Sequence, residues 1–154
     1  MLALVLIAGL AGGSAEIAWV GLIASQASGG AVEVARQVSA TVLPGVGALA
    51  IAPFAGVAIH LLLSVLLAFA FWRLVWRPFA SKLTSVEAGL CGMGSLAAVW
   101  FVNFTVVLPA LNPAFVTLLP SWATLISKLL FGAAMTAVLI VSNEQRQEAS
   151  LLTV

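Results

Sequence analysis

Aspartate and tyrosine are absent from the 154 residues, histidine and cysteine occur once each, and charged residues make up only 7%. Each shortage excludes something. A lone Cys91 cannot close an intramolecular disulfide, and its plain reading is a small residue in a helix interface. One histidine and a few glutamates fall short of the three or four ligands a zinc site takes. No Ser/His/Asp set, phosphate-binding loop or Cys/His cluster is present. A soluble domain carries about 25% charged residues, so this chain cannot clothe a water-facing surface. A net charge of +1 gives no electrostatic footprint for nucleic acid.

What the chain has in excess is apolar length: 63% of it is hydrophobic, with a mean hydropathy of +1.21. A membrane-crossing helix needs roughly 20 apolar residues. Four stretches qualify, 2–24, 52–74, 86–108 and 122–142, followed by a polar tail over 143–154 that reads as solvated or frayed helix. The first could be mistaken for a signal peptide. It lacks a basic start, however, and its apolarity resumes after Glu16, so it reads as a retained span. Between the first two spans, residues 25–47 carry Gln26, Glu33, Arg36 and Gln37, with Val32, Ala35, Val38 and Val42 at helical spacing. This predicts a short amphipathic helix at the membrane interface, ended by Pro44 and Gly45. Residues 109–121 hold three prolines and are too apolar for a free loop, so they are expected to fold back on the bundle. Glu87 should cap the third span together with Thr84 or Ser85.

Lys and Arg in short loops mark the cytoplasmic side. Arg73, Arg77 and Lys82 fall between the second and third spans and Arg146 in the tail, which places both termini in the cytoplasm. Those three loop residues suit topology and anionic headgroups, and Trp72 and Trp76 suit an aromatic belt.

Each span also holds one polar residue: Glu16, His60, Asn103 and Lys128. By helical rise, Glu16 and His60 lie about 12 Å inside the outer ends of their spans, and Asn103 and Lys128 about 8–9 Å inside theirs. All four therefore share a depth in the outer half of the membrane. A charge at mid-bilayer costs about 2.5–3.5 kcal/mol on the most lenient scale, so such groups face a partner or a cavity. Small residues share their faces: Gly9, Gly12 and Gly13 with Glu16, Gly56 and Ser64 with His60, Gly92 with Asn103, Gly132 with Lys128. These are packing residues in lipid, so the polar groups should point at protein. A Glu16–Lys128 ion pair completed by His60 and Asn103 is the structural reading. Proton or ligand handling is the functional one, and haem ligation by His60 a third. Otherwise no cofactor is expected. Asn103-Phe104-Thr105 matches a glycosylation acceptor, but inside a span it carries no weight.

The chain also resembles a duplicated hairpin. Ala8-Gly9-Leu10-Ala11-Gly12 recurs as Ala88-Gly89-Leu90-Cys91-Gly92, followed in each case by a tryptophan, Trp19 or Trp100. His60-Leu61-Leu62 with Ser64 parallels Lys128-Leu129-Leu130 with Gly132. Ala8 to Gly12, His60 and the stretch from Gly89 to Trp100 resemble small bacterial inner-membrane proteins of unknown function with four spans and an intramembrane histidine in the second. In that group the fourth span often carries histidine where this chain has Lys128, which puts a shared paired-histidine site in doubt. The resemblance implies a fold and no activity. Ala15-Glu16-Ile17 is similar to the membrane-embedded glutamate of small multidrug transporters, yet Lys128 and His60 at the same depth leave Glu16 paired rather than free.

The sequence thus reads as an all-α, four-span bundle in a bacterial inner membrane. The function it favours is a non-catalytic accessory subunit that contacts lipid and packs against other membrane subunits or itself. A small proton-linked transporter or channel using Glu16, His60 and Lys128 is the alternative, and an electron-transfer subunit with His60 as ligand is third.

Overall fold

The computed structural model of the chain describes residues 1–25 and 29–151. Gln26, residues 152–154 and the side chain of Arg146 lie outside the described residues. Among the described residues eight α-helices follow one another: α1 (Leu2–Ala24), α2 (Gly30–Val42), α3 (Ala52–Phe71), α4 (Arg77–Phe79), α5 (Ser85–Val102), α6 (Leu108–Leu111), α7 (Pro113–Val116) and α8 (Ser121–Leu151). No strand occurs among the described residues. Four helical runs, Leu2–Ala24, Ala52–Lys82, Ser85–Leu111 and Ser121–Gln145, are long and apolar enough to cross a membrane, as a multi-pass membrane protein requires.

Two runs outlast the expected spans because of how they handle proline. A proline ring clashes with the carbonyl four residues earlier and lacks the N–H of a regular turn. Before Pro78, residues Trp72–Trp76 form a wide π turn closed by the Arg77 N–H on the Trp72 carbonyl, and the helix continues into α4. Before Pro109, Asn103–Val107 do the same, with the Leu108 N–H on the Asn103 carbonyl. The second span therefore runs past residue 74, and Trp76 turns inward, packing in the core rather than in an interfacial belt. The tail continues α8 as helix to Leu151, with Glu144, Gln145 and Glu148 exposed, in keeping with a solvated helix. At the start of α5, Thr84 and Glu87 form a reciprocal capping box.

The helices form an arc in the order α2, α3, α1, α8, α5. On α1 the buried positions Val5, Ala8, Gly9, Gly12, Gly13 and Glu16 make one helical stripe, which is why this helix sits between two neighbours. Added Cβ atoms at Gly9 and Gly13 would reach Val65 Cα and Ser64 Oγ of α3, each at 2.6 Å, while one at Gly12 would reach the Phe131 ring of α8 at 2.8 Å. Gly92 and Gly132 bring α5 against α8 in the same way, with a Cβ on Gly132 2.8 Å from Met93 Cα. Ser64 against Gly13 and Gly132 against Met93 are equivalent positions in the two hairpins, so both cross in one register.

Packing is uneven along the bundle. Val5, Ala8, Ala68, Phe71, Trp76, Leu96, Phe131, Met135 and Leu139 build a core in the half that holds the termini. In the other half α3 and α5 make no extensive contact, and a cavity opens between them.

Candidate functional site

Glu16 sits where the α1 stripe meets α8 and α3. Lys128 Nζ lies 2.6 Å from Glu16 Oε1 and 2.7 Å from Oε2, so one ammonium engages both carboxylate oxygens. The single proton of Ser127 Oγ is shared between the Thr124 carbonyl at 2.7 Å and Glu16 Oε1 at 3.2 Å. From α3, His60 Nε2 lies 3.8 Å from Oε2, too far for a hydrogen bond, and that buried atom has no other partner among the described residues. The Lys128 ammonium is also 5.8 Å from the centre of the Phe131 ring, a cation–π distance. Side-chain exposure is 9% for Glu16 and 14% for Lys128. This is a desolvated pair, in which each charge depends on the other.

The group forms part of the wall of a cavity of about 780 Å³. Residues of α1, α2, α3, α5 and α8 line it, together with the segment 103–119. From α2 the lining is Ala31, Val34, Ala35, Val38, Thr41 and Val42, a stripe at helical spacing. The expected α2 stripe shared Ala35, Val38 and Val42, but Val32 is 58% exposed and belongs to the other face. The reason is that α2 packs along α3 instead of lying alone at an interface. A Cβ on Gly56 would overlap the Ala35 carbonyl, so the two backbones are in contact there.

The end of the cavity remote from the termini is closed by α2 and α7. Asn112 Nδ2 donates to Gln37 Oε1 at 2.9 Å and to Thr41 Oγ1 at 3.0 Å, while Asn112 Oδ1 caps α7 by accepting the Phe115 N–H at 3.3 Å. Phe104 bridges Trp100, at 5.7 Å between ring centres, and Phe115, at 6.4 Å. Residues 109–121 thus fold back as expected. Asn112→Ala removes a cap and the bonds to α2 at once. It should cost about 1–2 kcal/mol and speed hydrogen exchange in α7 and α2 while leaving α8 protected. Equal exchange in all three helices would contradict this latch.

The four polar residues counted to one depth do not all meet. Glu16, Lys128 and His60 gather, whereas Asn103 stands on the α5 side of the cavity with no side-chain partner among the described residues. Counting along a helix gives depth but not lateral position, and α5 packs mainly against α8, with no extensive contact to α1 or α3. His60 Nε2 is directed at a carboxylate rather than at open space, which does not favour haem ligation. Arg73, Arg77 and Lys82 are exposed at the end that holds Met1. Ser127 and Asn112 were missed by the sequence reading. The first adjoins Lys128, and the second carries the Asn-Pro signature of a helix start.

Two tryptophans fasten α8 beside the site. Trp19 Nε1 donates to the Ala123 carbonyl at 2.9 Å and Trp100 Nε1 to Thr124 Oγ1 at 3.0 Å. No group of three or more His, Cys, Asp or Glu residues capable of holding a metal occurs among the described residues. No known protein family matches the chain, and neither a curated protein nor a solved structure matches it.

Proposed function

We propose that the chain is a non-catalytic integral membrane protein that holds a small apolar molecule in its cavity and serves a larger membrane assembly as an accessory subunit. The cavity carries this reading. Its 780 Å³ lies inside the range of about 300–1,000 Å³ usual for small-molecule sites, with mostly apolar walls and a few converging polar groups. A packing defect of that size would not keep two helices and a hydrogen-bonded latch around it.

The setting we propose is a bacterial plasma membrane with both termini in the cytoplasm. Exposed Arg73, Arg77 and Lys82 at the end of Met1 support the orientation. The resemblance of Ala8 to Gly12 and His60 to small bacterial four-span proteins supports the source. The cavity then lies in the outer half of the bilayer. The accessory role rests on α5, which packs extensively on α8 only and has open space over Gly89 and Gly94. Small residues there let a helix of another subunit, or of a second copy, approach closely. A proton-linked transporter is less well supported, because Lys128 engages both oxygens of Glu16.

Native mass spectrometry from mild detergent tests the reading. The protein should carry a hydrophobic adduct, and Val38→Trp, which fills the cavity, should lose it while keeping its helical circular dichroism. Protein that neither carries nor rebinds any apolar molecule would overturn the proposal. The same spectra reveal any second chain that travels with it.

A further inference from the structure

We propose that the guest this cavity selects is an electrically neutral long-chain amphiphile, its hydroxyl or carbonyl head at Asn103 and the Glu16–Lys128 pair and its hydrocarbon body along the apolar wall. The inference rests on the cavity-binding reading above and adds the chemistry of the head.

Charge is the first argument. Glu16 and Lys128 cancel each other at contact distance, and among the described residues the one further titratable group on the wall is His60, 3.8 Å from the same carboxylate. An anionic head would compete with Glu16 for Lys128 and leave a carboxylate unpaired, while a cationic head would compete for Glu16 and strand the ammonium. Either exchange leaves a net charge in a mostly apolar space, which is costly. A neutral head does neither. It takes the third N–H of Lys128, whose other donors face Glu16, without unpairing anything.

Hydrogen-bond supply is the second argument. Ser64 donates to the His60 carbonyl at 2.7 Å, and Thr124 and Ser127 are likewise bonded within the protein. Asn103 and His60 are different: both line the cavity, the Asn103 amide has no side-chain partner among the described residues, and His60 Nε2 makes no hydrogen bond there. An amide both donates and accepts, so it suits a hydroxyl or a carbonyl equally. Apart from His60 and Thr41, the rest of the wall, including Val20, Val34, Leu63, Leu67, Val99 and Leu108, is hydrocarbon. Because α3 and α5 make no extensive contact, a chain dissolved in the bilayer can enter sideways between them.

The test uses three probes with the same hydrocarbon chain and neutral, anionic or cationic heads: geranylgeraniol, geranylgeranyl phosphate and geranylgeranylamine. Each is titrated into delipidated protein in neutral detergent, displacing tritiated geranylgeraniol. The alcohol should bind at least about tenfold tighter than either charged analogue. Glu16→Gln should move the preference toward the phosphate, Lys128→Met toward the amine, and Asn103→Leu should weaken the alcohol about tenfold. Equal binding of all three by the unaltered protein, or a charged analogue binding best, overturns the neutral-head inference and leaves the cavity reading standing. If none of the three binds while mass spectrometry still shows an apolar adduct, the amphiphile inference falls alone; if no adduct is carried either, the cavity reading falls with it. The comparison on unaltered protein decides the matter even where a variant fails to fold.

Discussion

Lys128→Met should cost about 3–5 kcal/mol of stability, the loss typical when one partner of a buried ion pair is removed. Methionine keeps the apolar stem against Phe131, so little packing changes and the effect falls on Glu16. That carboxylate is 9% exposed, and both its oxygens lie within 2.7 Å of the ammonium. Without Lys128 it retains Ser127 at 3.2 Å and the His60 nitrogen at 3.8 Å. One shared hydroxyl and a distant imidazole do not replace a charge-assisted pair. The double variant Glu16→Gln with Lys128→Met should regain at least about half of the loss, since neutral replacements of a whole pair are often close to neutral in stability. Denaturation by sodium dodecyl sulfate, followed by circular dichroism, reads both. A single variant within about 1 kcal/mol of the parent would mean that water reaches the pair freely, contrary to its burial.

That pair was legible in the sequence, and the reason is physical. In lipid an ionisable residue is rare enough that two at one depth have few options besides each other. Gly9, Gly12 and Gly13 were legible because they share a helical face with Glu16, and a face of small residues fixes which side meets a neighbour. The cavity was not legible. Val34, Leu63 and Val99 carry the same apolar character whether they face lipid, a void or a ligand, so periodicity cannot separate these cases. The prolines misled differently. Pro78 reads as a helix end, yet a π turn lets the chain pass it, and this carries Trp76 from an expected interface into the core. The cap on α5 lies at the other extreme, because Thr84 and Glu87 act within a single turn and need no tertiary information.

The second large effect should come from Gly56. A Cβ there would overlap the Ala35 carbonyl, which is backbone and cannot swing aside as a side chain could. Gly56→Ala must therefore push α2 away from α3 and should cost about 1–3 kcal/mol, the usual penalty of overpacking. Gly56→Leu should displace α2 altogether. Because α2 supplies six cavity-lining residues and accepts the Asn112 bonds, one substitution should unseat the lid and abolish guest binding. The core in the other half does not involve α2, so α1 and α8 should keep their slow hydrogen exchange while α2 loses it. Gly94→Ala serves as the control: nothing lies within 4 Å of its added Cβ, and alanine favours helix, so stability should hold or rise by up to about 1 kcal/mol. If Gly56→Leu leaves α2 as protected as in the parent, the close α2–α3 contact is not what closes the cavity. If instead α1 and α8 lose protection together with α2, the two halves fold as one unit and the hollow half is not an independent lid over a packed base.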